Sequence, residues 1–342
     1  AKLIADGHQV LVQQGAGMGA YFHDESYAQA GAELVSDVRS LYERSGLILK
    51  VKEPQFNTEL NTHEIDLMRA GQYLITFIHP ASPANHGMVR KLAEKGVISL
   101  TLDGVPRISR AQSMDALTSM STCAGYKGML IAANLLPSFI PQIFSAVGMV
   151  KPLNALVIGM GVGGLQALAT AKRLGAVTHA VDTRAAAREQ AASLGAKIID
   201  IDIPDELAQG EGGYAKHLTP EWLDKEREAL RDVVAGSDIV ITSALVPGKE
   251  APILITKAMV EAMKPGSCIV DISIDQGGNC ELTQGGAVKE HKGVIIDGTK
   301  NIPGTMPTSS TAMFSKNMLN FVDNLVADGK VNLNMDDEII RA

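Results

Sequence analysis

Cysteine is scarce in this sequence: of 342 residues only Cys123, Cys268 and Cys280 are cysteines. Wide spacing and an odd number suit a reducing compartment better than a disulfide framework. Nor do the three show the paired spacing of a zinc site. Long basic runs are missing too. With 31 Lys and Arg against 38 Asp and Glu, the formal net charge is -7, which argues against a nucleic-acid partner. There is no G-x-S-x-G elbow, no H-E-x-x-H pair and no P-loop, so three common routes to hydrolysis lack their motifs. No repeat or low-complexity tract is present.

One uncharged run, Gly128 to Val150, has enough residues to cross a bilayer. Pro137 and Pro141 break any single helix through it, and Asn134 and Gln142 are polar. The reading is a buried helix, a turn and a second short helix in a soluble chain. What remains is a 46% hydrophobic sequence, long enough for two domains with substantial cores. No signal peptide is visible. The opening residues read as the end of a helix, which leads us to expect further residues ahead of Ala1.

The most informative stretch is Val157-Ile-Gly-Met-Gly-Val-Gly-Gly-Leu165. An apolar run, Ala155 to Ile158, feeds a turn in which Gly159, Gly161 and Gly164 occupy the three positions of G-x-G-x-x-G. The first permits a tight turn, the second a close approach of backbone to pyrophosphate, the third close packing of the following helix, expected over Leu165 to Leu174. Free N–H groups at that helix N-terminus would face the phosphates. A second apolar run, Ala176 to Val181, ends at Asp182, whose carboxylate can accept from the adenosine ribose hydroxyls and would repel a 2′-phosphate. The expected cofactor is therefore NAD(H), although Arg184 nearby offers a guanidinium to such a phosphate.

Strand-like and helix-like runs alternate along the chain. Gln9 to Val12, Leu47 to Val51, Tyr73 to Ile78 and Val97 to Leu102 read as strands. Glu25 to Ala32, Asn61 to Met68 and His86 to Lys95 read as helices. The pattern recurs from Leu156 to Ile199 and continues in Ile239 to Ala244, Cys268 to Ile274 and Val294 to Ile296, apolar throughout as central parallel strands are. The predicted fold is α/β: two doubly wound, Rossmann-like domains with parallel sheets, separated by a cleft. Their expected extents are 1–127 with a returning C-terminal helix in 306–342, and 128–305. The joint falls near Gly125 to Leu136, and Ser310 to Val326 has helical spacing.

Three further groups of residues carry chemistry. Pro106 to Asp115 gathers Arg107, Arg110, Gln112 and Asp115, with Thr118 beyond, groups able to bond a carboxamide, a ribose and a phosphate or simply to cap the next helix. Glu211 to His217 pairs glycines with Tyr214 in a structure-poor stretch, which suits a flap that excludes water from hydride chemistry. Lys52, His79 and Asp275 each follow an apolar run, where side chains of doubly wound sheets meet ligands. A lysine and a histidine there can bind a keto acid and move a proton.

These residues together resemble the superfamily of alanine dehydrogenase and the NAD(H)-binding domain I, or alpha subunit, of proton-translocating nicotinamide nucleotide transhydrogenase. The resemblance spans Gly15-Ala-Gly-Met-Gly19 to Asp336-Asp-Glu-Ile-Ile340. Pro106 to Asp115 is similar to the transhydrogenase Arg-Gln-Asp loop, with Arg107, Gln112 and Asp115 at its named positions. Gly212 to Lys216 is similar to its mobile loop, with Tyr214 at the closing tyrosine. Ala244 to Lys249 and Gly277 to Thr283 also look like that branch. The resemblance implies Gln112 beside the nicotinamide ribose, Asp115 at the carboxamide and Asp182 at the adenosine ribose. Gly159, Gly161, Val162, Gly164, Thr183, Arg184, Thr118, Tyr214 and Gln276 complete the expected cofactor contacts. Thr118 replaces the usual serine but keeps the hydroxyl.

The leading expectation is an oxidoreductase subunit that presents NADH for direct hydride transfer to NADP⁺ on a partner, coupled to proton translocation. The partners implied are the NADP(H)-binding and membrane subunits and a second copy of the chain. That places the chain in the cytoplasm, peripheral to the inner membrane. Lys52, His79 and Asp275 resemble instead the substrate lysine, acid/base histidine and active-site aspartate of alanine dehydrogenase, which would act alone. The arginine expected to bind the keto-acid carboxylate would precede residue 1. A non-catalytic NAD-sensing module is the third alternative.

Overall fold

The structure, a computed structural model, describes residues 1–80, 82–208, 210, 215–246 and 249–342, apart from the side chain of residue 205. The chain divides into two compact units, Ala1–Ser119 with Pro307–Ala342, and Met120–Met306.

The second unit is built on one seven-stranded sheet. Its order is Lys197–Ile198, Val177–Val181, Asn154–Ile158, Ile239–Thr242, Cys268–Asp271, Val294–Asp297 and Val288–His291. All neighbours are parallel except the last pair, an antiparallel hairpin. Side chains alternate between faces, so one set of strand residues (Leu156, Ile158, Val240, Ile269) joins one core. The other set (Ala155, Val157, Ile241, Val270) joins a second core on the opposite face. Burial on both sides is why these runs are continuously apolar.

Chain order places the ligand crevice. From Asn154–Ile158 the chain moves to one side, to Val177–Val181, and later returns to the other, to Ile239–Thr242. Crossovers therefore diverge at the carboxyl end of Asn154–Ile158, where doubly wound sheets leave space for a ligand. The glycine motif begins at that point.

In the first unit the parallel pairing is shorter. Leu47–Leu49, Tyr73–Thr76 and Ile98–Thr101 form a three-stranded parallel sheet, and Leu11–Gln13 pairs separately with Glu33–Val35. Tyr42, Ile65, Met68, Leu74, Leu92 and Val97 fill a core beside them. Helix Pro307–Leu325 buries Phe314, Met318, Phe321 and Leu325 at spacings of three and four, one face of an α-helix. Phe314 packs on Phe77 with ring centroids 5.9 Å apart.

Two segments differ from their sequence reading. After Pro141 the second short helix is absent, and Ile143–Ser145 and Gly148–Val150 pair as an antiparallel hairpin. Here Ile, Phe and Val favour extended backbone, and Gly148, at φ 121°, lets the chain leave the two-residue turn at 146 and 147 to pair with Ser145. Its apolar side chains are exposed rather than buried, Phe144 at 76% and Val147 at 98%. Likewise Asn61 to Met68 holds one helical turn, Glu64–Leu67, because Asn61 takes φ 47° and Thr62–His63 pairs back on Phe56–Asn57. No helix among the described residues is long and apolar enough to cross a membrane.

Candidate functional site

The glycine turn is fixed by crowding at two positions and opened at a third. Gly159 takes φ 88°, and a β-carbon there would lie 2.7 Å from the backbone of Ser243 and Ala244, beyond the neighbouring strand. At Gly164 a β-carbon would collide with the Gly159 carbonyl oxygen, so the helix Val162–Arg173 starts tight against the end of its strand. Around Gly161 a β-carbon would meet nothing within 4 Å. That glycine is the helix N-cap and offers no side-chain acceptor, which leaves first-turn amides for an anionic ligand.

A fourth glycine matters as well. A β-carbon on Gly125, in helix Ala116–Leu135, would collide with the Gly163 carbonyl. Small residues let these helices cross backbone to backbone. The doubled glycine at 163 and 164 is the signal for this crossing, and the three-glycine motif leaves it unused.

Asp182 follows strand Val177–Val181 and ties the glycine turn to it. Its Oδ2 accepts from the Met160 backbone N–H at 2.6 Å, and its Oδ1 from the Arg184 backbone N–H at 2.8 Å. The Arg184 guanidinium donates to both oxygens, at 2.9 and 2.7 Å. Arg188 donates to the carbonyls of Asp182 and Thr183 at 3.1 and 2.7 Å. Gly159, Gly161, Val162, Gly164, Asp182, Thr183 and Arg184 thus form one continuous patch.

Asp271 and Asn279, which the sequence reading passes over, brace the neighbouring strand ends. Asp271 accepts from the Thr242 hydroxyl at 2.8 Å and from the backbone N–H groups of Asn279 and Cys280 at 2.9 and 3.1 Å. Asn279 accepts from the Ala244 N–H and donates to the carbonyls of Ala244 and Pro252. Gln276 ends the 3-10 helix Ile272–Gln276, and its carbonyl accepts from Ala251. Asp275 is exposed and accepts from the Asn301 N–H at 3.1 Å. Tyr214 and the glycines before it lie outside the described residues. On either side of that stretch the chain closes on itself, Lys216 N–H donating to the Ala208 carbonyl at 2.9 Å.

In the first unit, Ser109–Met114 is a 3-10 helix anchored from several sides. Arg110 pairs with Asp337 and donates to Asn324, and the Ser113 carbonyl accepts from Asn317 and Asn320. Asp115 caps the following helix, accepting from the Thr118 N–H at 2.8 Å and its hydroxyl at 2.6 Å. Arg107 and Gln112 are exposed on this braced loop. Lys52 is half-buried, three residues beyond strand Leu47–Leu49.

His79 is the most constrained residue of this unit. Its backbone takes φ 49°, its ring stacks on Phe77 with centroids 5.4 Å apart, and its Nδ1 lies 2.6 Å from Asp103 Oδ1. Asp103 Oδ2 accepts from the N–H groups of Ile78 and His79 and from the Thr101 hydroxyl. Burial raises the pKa of Asp103, but the bonds from His79 and Thr101 outweigh it and hold the carboxyl below its usual range. The sequence reading names His79 and misses Asp103, although Asp103 likewise stands just past a strand.

Comparison with known proteins covers both parts of the chain. The family model described as alanine dehydrogenase/PNT, C-terminal domain, matches residues 128–342, and the corresponding N-terminal domain matches residues 1–124. The chain is 42% identical over 324 residues to NAD(P) transhydrogenase subunit alpha, first part, of Rhodospirillum rubrum, covering 94% of this chain and 83% of that one. It is 31% identical over 352 residues to alanine dehydrogenase of Bacillus subtilis, covering 100% and 84%. The crystal structure of transhydrogenase from Sinorhizobium meliloti matches with a TM-score of 0.83 at 37% identity, covering 99% of this chain and 90% of that one.

Proposed function

The chain belongs to the alanine dehydrogenase/PNT family, and from that membership we propose that it is the NAD(H)-binding alpha subunit of an NAD(P) transhydrogenase. Transhydrogenases and alanine dehydrogenases alike are oxidoreductases. The observation that carries the reading is the open space at Gly161 between two glycines that are packed shut. Any side chain at 161 would fill the approach that a pyrophosphate needs, so the turn fits a dinucleotide.

In this assignment the amides from Val162 onward hold the pyrophosphate, and Asp182, with Thr183 and Arg184 beside it, takes the adenosine ribose. The carboxylate favours NAD(H) over its 2′-phosphorylated analogue. Arg107, Gln112, Asp115 and Thr118 serve the nicotinamide end, with Gln276 and Tyr214 as further contacts. Bound NADH supplies a hydride, which passes directly to NADP⁺ on a separate NADP(H)-binding subunit. No proton moves in such a step, so no general acid is required of this chain. Proton translocation belongs to a membrane subunit, to which this chain attaches peripherally on the cytoplasmic side. The exposed apolar hairpin, with Phe144 and Val147 at 76% and 98%, supports a homodimer.

The His79–Asp103 pair favours a second reading, a self-sufficient amino-acid dehydrogenase with Lys52 and Asp275. An aspartate on Nδ1 fixes the orientation of the ring and leaves Nε2 to face a substrate, as an acid/base histidine needs. One assay separates the two: NADH oxidation by the purified chain with pyruvate and ammonium, beside NADP⁺ with a transhydrogenase NADP(H)-binding subunit. Turnover only with the partner supports the first reading. Turnover with pyruvate and ammonium alone overturns it.

A further inference from the structure

Helix Pro220–Gly236 delivers a carboxylate to the nucleotide crevice that none of the roles above uses. Its foot is pinned where the Asp238 N–H donates to the Asn154 carbonyl at 3.0 Å. From Gly236 back to Glu226 a helix rises about 15 Å at about 1.5 Å per residue. Strand Asn154–Ile158 climbs about 13 Å at about 3.3 Å per residue. Glu226 therefore stands level with Ile158, the last residue before the glycine turn. It also faces inward. Leu230 and Val234, successive turns on the same stripe, pack in one cluster with Leu156, Ile158 and Val181, and Glu226 itself is only 5% exposed.

Burial and the nearby Asp182 outweigh the attraction of Arg227 on this group. No described residue hydrogen-bonds its carboxylate. Arg227, its neighbour, attracts it, but that guanidinium donates its hydrogen bonds to the Ile253 carbonyl and to Asp224. The facing surfaces of strand Asn154–Ile158 and of helix Lys257–Ala262, with Met259 and Val260, are apolar. Asp200 and Asp202 are exposed. The charged group that bears on Glu226 from another element is Asp182, which repels it. Asp182 in turn is matched by Arg184 at 2.7 Å, with Arg188 on the adjoining carbonyls. The Asp182–Arg184 pair is nearly neutral as a unit, and a 2′-phosphate approaching it would meet a guanidinium as well as a carboxylate.

We propose that Glu226 is a second determinant of nucleotide choice: ionised, it adds a negative charge that rejects a 2′-phosphate at the Asp182 turn, and protonated, it relaxes that rejection. The proposal rests on the dinucleotide reading above. Burial, and then Asp182, push this carboxyl up to about 7, so the switch falls within ordinary pH.

The test is equilibrium titration of the full chain with NADH and with NADPH, wild type beside Glu226→Gln, from about pH 6 to about pH 8.5. In the wild type the preference for NADH is expected to grow about tenfold across that range. Glu226→Gln should show a lower preference, with only the slope left by ionisation of the phosphate itself, near about pH 6. Identical preference and slope in the two proteins would overturn the proposal. Should the variant bind neither nucleotide, the wild-type midpoint decides: about 7 supports a role for Glu226, and a midpoint at the phosphate's own about 6 overturns it. Failure of the wild type to bind NADH at any pH would remove the dinucleotide reading itself, which is a different result.

Discussion

The α-carbon of Gly164 sits so close to the carbonyl oxygen of Gly159 that no side chain fits between them. Gly161, midway between the two, faces open space, with ordinary φ and ψ of -72° and -172°. The three glycines of one motif therefore have separable duties. Gly164→Ala should lower stability by about 1–3 kcal/mol through overpacking. Gly161→Ala should leave the denaturation midpoint nearly unchanged and weaken NADH binding at least tenfold, as expected where backbone must approach pyrophosphate. Chemical denaturation and fluorescence titration separate the two. Equal stability losses would show that the turn is a purely structural unit.

Gln112 is exposed on a loop that Asn324 and Asp337, through Arg110, and Asn317 and Asn320, through Ser113, hold in place from other elements. Shortening it by one methylene should not disturb that brace. Gln112→Asn is expected to keep NADH affinity within about threefold while slowing hydride transfer in the reconstituted complex by at least tenfold, through misplacement of reacting groups. Stopped-flow measurement of the transfer step reads this directly. An unchanged rate would remove Gln112 from the nicotinamide end.

Glu226 also makes stability depend on pH, and the sign follows from its direction of shift. Its folded value, about 7, lies above the usual 4.5, so between those values the native state binds more protons than the unfolded one. Its contribution to stability is full below about 4.5 and declines as pH rises through about 7. The total is of order 3 kcal/mol. Glu226→Gln should consequently match the wild type below about pH 4.5, pull ahead of it as pH rises from there to about 7, and exceed its melting temperature by a constant margin above that. Parallel melting curves at every pH would show that the carboxyl titrates normally.

The hairpin Ile143–Ser145 with Gly148–Val150 exposes apolar side chains that a monomer gains nothing by displaying. Replacing Phe144 and Val147 together by glutamate should change folding stability by no more than about 0.5 kcal/mol, as exposed sites do. The same change should convert a dimer to monomers in sedimentation velocity. An unaltered sedimentation coefficient would place self-association elsewhere or nowhere.

Much of this is legible in the chain because its cause is local. The strand before the glycine turn is a run of buried apolar residues, the turn needs residues without a β-carbon, and the strand after it ends in a carboxylate. Each of these follows from backbone sterics or from burial on both faces of a sheet. The hairpin after Pro141 escapes such reading because an apolar run signals burial, and nothing in it says that both its faces stay exposed.

What the sequence alone determined, then, is the α/β alternation and the positions of Gly159, Gly161, Gly164 and Asp182, since period and sterics act between near neighbours. Tertiary structure decided which charges meet. Asp103 is set against His79 from 24 residues away, and Glu226 is carried by helix length to the level of the glycine turn. Electrostatic partners of this kind depend on distances through the fold, and those exist only once the strands have paired and the helices have packed on them.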